Sequence, residues 1–334
     1  MSYTQRDYAM DYLRAISCFM IVMLHFSGIY RDAGGVDEDI ATLVWAISRS
    51  AVPSFVLLSG AFCIRHNNIE GSFYGKHIRR VLYPTLLLIF LHTVLNYFIL
   101  IKHHELEENY LFPLYQMVVG RADDTLWYMY VTIGLYTLVP SLVHFKYELS
   151  KEYFFPISIG LFIYFWIVSF NCRFSLIISF VPYMGYFILG SSMYDYIHMK
   201  LRNELSNIIG VGLIISSYIV LLYVYTKCMG DFSRIENMYY FDIESVVATL
   251  LLFSGFSFLR LPQNKIVNCL SRYSMWIYLL HPLYNKAFLS TVKKMNLPSA
   301  FIPIYVAGEI VLCIAIVLIV KQFYYQCKRK IVAK

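Results

Sequence analysis

Apolar residues run along this chain in stretches too long and too continuous for the interior of a water-soluble domain. Ten of them, at about 12–30, 41–64, 81–101, 125–143, 154–170, 174–194, 206–226, 240–260, 269–289 and 300–324, are separated by polar breaks. A bilayer core about 30 Å thick is crossed by about 20 apolar helical residues, so each stretch is predicted to be a spanning helix. Barrel strands would alternate apolar and polar positions, and these stretches do not. The expected fold is all-α: a polytopic transmembrane helix bundle of about ten spans, one integral domain over residues 1–334, with no soluble domain. No internal repeat is visible, which argues against the inverted-repeat transporters. The first stretch follows a short polar head as a signal peptide would. It is long, however, and has no small-residue cleavage site before Tyr30-Arg31-Asp32, so it is expected to remain as the first span.

Composition agrees, with 59% hydrophobic and only 15% charged residues, against roughly 25% charged in soluble domains. Lys and Arg set the orientation. With the N-terminus inside, eighteen fall in cytoplasmic segments and nine on the other side, while Arg49 lies within the second span. Both termini are therefore expected in the cytoplasm. The loop at 65–80 is the most basic, and those at 31–40 and 102–124 lean acidic. The net charge of +7 is scattered among spans and forms no stripe, so nucleic acid is not an expected partner. The seven cysteines show no metal-ligand spacing, and neither redox nor metal chemistry is expected.

Ionisable groups at membrane depth cost roughly 2.5 to 3.5 kcal/mol each at a helix centre, so they mark candidate function. The first span holds Asp11, Arg14 and His25. At 100° per residue the three fall along one stripe, and Arg14 and His25 are about 16 Å apart along the axis. That spacing suits a coenzyme A thioester, its anionic nucleotide head on Arg14 and its long arm reaching His25. Burial favours the neutral imidazole, which can take a proton from a hydroxyl as general base. The spacing fits equally an Asp11–Arg14 ion pair that sets topology, with His25 bridging helices.

His281, before Pro282, lies about 16 Å from Ser271 at the cytoplasmic end of its span, at the same depth as His25. It either converges on His25 or satisfies a backbone carbonyl freed by Pro282. Arg49 reaches an acidic group or an acceptor, or snorkels to the interface. Glu244 and Glu309 are expected as interhelical partners, and His92 as a core histidine. Lys76, Arg79 and Arg80 fit donor phosphates as well as they fit topology anchoring. Trp127, Tyr128, Tyr239 and Tyr240 fit an interfacial belt or a sugar-stacking surface.

Taken in order, these residues resemble the bacterial membrane acyltransferase 3 family, which includes O-acetyltransferases of surface polysaccharides. The opening pattern appears as Arg6, Met10-Asp11-Tyr12-Leu13-Arg14 and His25, and the second-span pattern as Pro53-Ser54-Phe55 through Ser59-Gly60. The basic loop appears as Lys76 through Pro84, with Arg79 and Arg80. Leu126-Trp127-Tyr128 is followed by Tyr136 to Pro140, and the late signature runs from Ser271 to His281-Pro282. The resemblance implies a multi-pass protein of the bacterial inner membrane. It would move an acyl group, usually acetyl, from acyl-CoA to a hydroxyl of a surface glycan or its lipid-linked precursor, without a metal. It assigns catalytic roles to His25 and Arg14. Asp11, Arg79 and Arg80 are carried as donor-side candidates, and Arg49, Ser59, Trp127 and His281 as acceptor-side or supporting candidates. Many members carry a histidine just before Leu-Trp; here that position is Thr125, so its role does not carry over. No appended extracytoplasmic esterase-like domain of the kind found in some members is expected. Both half-reactions are therefore expected within the membrane unit or with a separate partner.

Overall fold

The computed structural model describes residues 6–32, 38–65, 72–102, 114–115, 125–171, 179–229, 231, 240–295 and 301–332. Tyr239 and most of the expected outer loop at 102–124 lie outside these residues, as does part of the basic loop at 65–80. Among the described residues the chain is helical, with no strand. The helices are α1 (Tyr8–Asp32), α2 (Glu38–Ser48), α3 (Ala51–Cys63), α4 (Ser72–His77), α5 (Tyr83–Lys102), α6 (Trp127–Thr137) and α7 (Val139–Glu148). They continue with α8 (Lys151–Asn171), α9 (Phe180–Tyr196), α10 (Ser206–Cys228), α11 (Ile243–Phe258), α12 (Lys265–Met295) and α13 (Ile302–Val332). Single π-helical turns, Ile78–Leu82 and Ile197–Leu201, follow α4 and α9.

Every predicted apolar stretch carries a helix or a broken pair of helices. Five stretches are long and apolar enough to cross a membrane: Tyr8–Gly28, Asp39–Cys63, Glu152–Phe170, Ser206–Cys228 and Ile302–Gln326. The α6–α7 pair makes a sixth if its 48° bend is counted as one broken span. The bend falls at Leu138, where Pro140 near the start of α7 cannot donate to the carbonyl of Tyr136. The stretch expected at 41–64 is likewise broken, at Arg49 and Ser50. Helices α9 and α11, of 17 and 16 residues, reach only about 25 Å at 1.5 Å per residue. Helix α12 is long but interrupted by charged residues.

Burial sorts the crossing helices. Of the apolar windows, those of α1 and α2–α3 are 72% buried, whereas those of α8 and α10 are 17% and 22% buried. The first two stretches thus form the centre and the others the periphery, where exposed side chains such as Ile163, Ile167, Ile215 and Ile219 are apolar. Small residues let the central helices close. A Cβ at Gly60 would overlap the Phe187 carbonyl, and one at Gly190 the Leu57 carbonyl, so α3 and α9 meet backbone to backbone. A Cβ at Gly210 would lie 2.7 Å from the Gly255 carbonyl oxygen, so α10 also packs closely on α11.

A polar cluster ties the segment before α1 to the end of α9. Asp7 Oδ2 lies 2.8 Å from His198 Nε2 and accepts from the Tyr194 hydroxyl at 3.0 Å and from Arg202 at 3.5 Å. Burial pushes the Asp7 carboxyl upward, but the hydrogen bond and charge of His198, with Arg202 and Tyr194, outweigh it and hold the group below the usual carboxylate range. A depressed folded value means that the stabilisation is complete above the unfolded value and is lost as pH falls through the folded one. Asp7→Asn is therefore expected to cost on the order of 2 kcal/mol at neutral pH. Thermal unfolding of the purified protein should show this gap between wild type and variant, closing only below about pH 4.

Candidate functional site

The polar stripe of α1 faces α12. Asp11 is 6% exposed; its Oδ1 accepts from the Ser271 hydroxyl at 2.5 Å and its Oδ2 from Arg6 Nε at 2.5 Å. Arg14 Nη1 lies 3.7 Å from Asp11 Oδ1 and donates to Ser271 Oγ at 3.4 Å. The expected Asp11–Arg14 pairing is present, but Arg6 and Ser271 hold Asp11 more closely. Further along, Cys18 Sγ reaches the Ser274 carbonyl at 3.8 Å, and the His25 and His281 rings lie 5.3 Å apart with planes inclined by 32°. These contacts occur in the same order on both helices, so α1 and α12 run parallel.

A proline sets the histidine pair. Pro282 has no N–H, so the Tyr278 carbonyl four residues earlier loses its helical donor. His281 Nδ1 donates to that carbonyl at 2.7 Å. A carbonyl only accepts, so the proton sits on Nδ1 and the lone pair of the neutral ring on Nε2. The ring that satisfies the freed carbonyl is also the ring that meets His25.

Aromatic and hydroxyl groups connect this pair to Arg14. The Tyr278 ring is 5.5 Å from His281 and 5.7 Å from Tyr128, and its hydroxyl donates to the Thr125 carbonyl. Ser59 lies within polar reach of both Tyr128 and Tyr136, and Cys63 within reach of Tyr136. Beside Cys63, the Phe62 ring has the Arg14 guanidinium 5.4 Å and the Arg65 guanidinium 4.6 Å from its centroid. The contacts thus run from the imidazoles through Tyr278, Tyr128 and Ser59 to Tyr136 and Cys63, next in sequence to the Phe62 on which Arg14 lies.

Trp127 and Arg49 meet around Tyr240, beside the row, with the Trp127 ring 6.2 Å from that of Tyr128. Trp127 stacks on Tyr240 at 5.7 Å and 29°, and lies 5.8 Å from Tyr183. Arg49, 3% exposed, sits 5.3 Å from the Tyr240 ring and 5.6 Å from that of Trp45. It stands at the break between α2 and α3, buried in this aromatic box.

Arg79 and Arg80 are exposed on the π-turn after α4, and no described contact joins them to Arg14. Their neighbour His77 meets Tyr136 edge-on at 5.1 Å, which sets this segment beside the row. Glu244 is the expected interhelical partner, accepting from Lys227 at 2.7 Å. His92 is fully buried in α5. Glu309 departs from expectation: it is fully buried, and neither carboxylate oxygen is hydrogen-bonded among the described residues.

Sequence reasoning missed Ser271, Tyr278, Tyr136 and Arg65 as members of this arrangement. For the first two a signal existed: Ser271, Ser274, Tyr278 and His281 follow a 3-4-3 spacing that puts them on one helical face. Arg65 and Tyr136 join only through the packing of α3 on its neighbours.

The seam of α1 and α12 is where the first-span and late-chain motifs meet, and a family model described as an acyltransferase domain matches residues 7–320. The chain belongs to the acyltransferase 3 family. Comparison with curated proteins and with solved structures gave no match. As a member of the acyltransferase 3 family the protein is an acyltransferase, and its chemistry needs an acyl donor and an acceptor. The matched span includes every candidate residue from Asp11 to His281.

Proposed function

We propose that this protein moves an acyl group, most simply acetyl, from cytoplasmic acyl-CoA to a hydroxyl of a surface glycan or its lipid-linked precursor. It does so as a ten-span protein of a bacterial inner membrane with both termini in the cytoplasm. The single observation that supports the site is the His25–His281 ring contact, continued toward Arg14 by the row of Tyr278, Tyr128 and Ser59. Along α1 the two ends are about 16 Å apart, a length suited to a pantetheine arm.

In this reading Arg14, braced by Ser271 and Asp11, holds the anionic head of the donor, and the thioester lies at His25. The neutral His25 takes the proton of the acceptor hydroxyl as that oxygen attacks the thioester carbonyl; the carbon–sulfur bond breaks and the coenzyme A thiolate leaves, to be protonated in turn. A transient acyl-His25, formed by loss of the same thiolate and broken by the acceptor hydroxyl, uses the same groups. Trp127 and Tyr240 offer stacked faces for a sugar ring, with Arg49 as a hydrogen-bond donor beside them.

Mass spectrometry of the surface glycans from strains with and without the gene tests the proposal. The expected result is glycan of normal length and amount that lacks an acyl group in the deletion strain. Loss of export with acylation intact on the residual glycan would instead point to a transport role and defeat it.

A further inference from the structure

The polar face of α12 extends one turn beyond the histidine pair. Ser271, Ser274, Tyr278 and His281 are followed, at the next step of the same spacing, by Asn285, so the run reads 3-4-3-4 and all five fall within about 80° of one another around the helix. The first four are engaged. Ser271 donates to Asp11, Ser274 to the Ser271 carbonyl, Tyr278 to the Thr125 carbonyl and His281 to the Tyr278 carbonyl. Asn285 is 1% exposed, and among the described residues neither its Nδ2 nor its Oδ1 is hydrogen-bonded. An amide withdrawn from water without partners is costly, so a buried one left open is a candidate for function.

Position and chemistry together select the ligand. At 1.5 Å per residue Asn285 stands about 6 Å beyond His281, on the far side of the imidazoles from the Asp11–Arg14 end of the seam. On the same helical face Tyr278 leads through Tyr128 to the Trp127–Tyr240 stack. The acceptor, and not the donor, is therefore the substrate that meets Asn285. A planar amide presents one donor and one acceptor side by side. An acyl carbonyl or its oxyanion only accepts, so it would use Nδ2 and leave Oδ1 unpaired. Two hydroxyls on adjacent carbons donate and accept together, and they satisfy both atoms. We propose that Asn285 binds a pair of neighbouring hydroxyls on the acceptor sugar, Nδ2 donating to one oxygen and Oδ1 accepting from the other, and so sets a further hydroxyl of the same ring at His25. The step of about 6 Å along α12 is one that a single sugar ring spans. Asn285 thus selects acceptors that carry a free vicinal pair. This assignment rests on the glycan-acceptor reading above.

Steady-state kinetics separate this role from a structural one. The full-length protein in phosphatidylcholine nanodiscs is supplied with acetyl-coenzyme A and with the surface glycan and its lipid-linked precursor, both extracted from the gene-deletion strain. Asn285→Leu keeps the volume and removes both polar atoms. It is expected to raise KM for this acceptor at least about tenfold and to leave KM for acetyl-coenzyme A unchanged. It should melt no lower than wild type, because it removes an open buried amide. Asn285→Gln, which keeps both groups one methylene further out, should fall between the two and serves as the readout if the leucine variant does not fold. NMR of the wild-type product should place the acyl group on a sugar residue that retains two neighbouring free hydroxyls. Should wild type transfer acetyl to neither form of the glycan, the acceptor reading fails and this inference with it. Wild-type transfer with an unchanged acceptor KM in both variants overturns the Asn285 assignment alone, as does an equal rise in both KM values. A leucine variant that melts lower with kinetics intact would show the amide to be paired within the bundle, which also overturns it. So would an acylated sugar residue that has no neighbouring hydroxyl pair.

Discussion

His25→Ala is expected to lower acyl transfer by about 10²- to 10⁴-fold while leaving the protein folded and still able to bind coenzyme A. The expectation rests on position. His25 is a partly exposed imidazole on a helix whose other positions are largely buried, and its ring meets a second, fully buried imidazole whose tautomer is set by Pro282. Removing it takes away the group proposed to accept the hydroxyl proton or the acyl group, but leaves Asp11, Arg14 and Ser271 in place about 16 Å away. Surface-glycan acylation in cells expressing the variant at wild-type level is the measurement, with His25→Gln as a variant that keeps volume and polarity. The same variants are titrated with coenzyme A to show that the donor end is intact. Normal acylation by His25→Ala would remove His25 from the mechanism. A loss of coenzyme A binding as large as the loss of transfer would make the histidine a structural element of the bundle.

A second large effect is expected from one small residue remote from the histidines. Gly60→Leu should prevent the bundle from assembling, because even a Cβ at this position overlaps the Phe187 backbone. Backbone atoms cannot rotate aside as a side chain can, so α3 and α9 must separate, and overpacking of this kind costs typically 1–3 kcal/mol and more where nothing can yield. Separation would also carry Ser59, Phe62 and Cys63 away from their partners on α6 and α1. Detergent-solubilised Gly60→Leu is expected to aggregate or to melt well below wild type on size exclusion after heating. Gly212→Leu is the control, since nothing lies within 4 Å of a Cβ there; it should melt as wild type does. Equal stability of the two variants would mean that α3 and α9 do not pack through these glycines.

Much of the site was legible because it lies on single helices. The Asp11, Arg14 and His25 stripe follows from the α-helical repeat, and both its length and its common face survive in the structure as contacts to α12. His281 was legible as a depth match. Its two alternative roles merged for a reason visible only in three dimensions: the carbonyl freed by Pro282 directs one ring nitrogen, and α1 supplies the neighbour for the ring. The alternatives for Arg49 could not be separated from hydropathy, because neither the break at Arg49–Ser50 nor the rings of Trp45 and Tyr240 around it follow from the apolar pattern.

By itself, then, the amino-acid sequence determined that the chain is helical, that its helices are apolar along most of their length, and which ionisable residues share a face. These properties depend on side chains a few positions apart and on backbone hydrogen bonds that an apolar helix must close within itself. The tertiary structure alone decided that Ser271 braces Asp11 across 260 positions, that Arg65 and Arg14 both lie against Phe62, and that Tyr128 and Tyr278 stand between the two ends of the site. Partner choice among apolar helices is set by where small residues let backbones approach, and any of many pairings satisfies the apolar pattern equally. Only the packed bundle selects one.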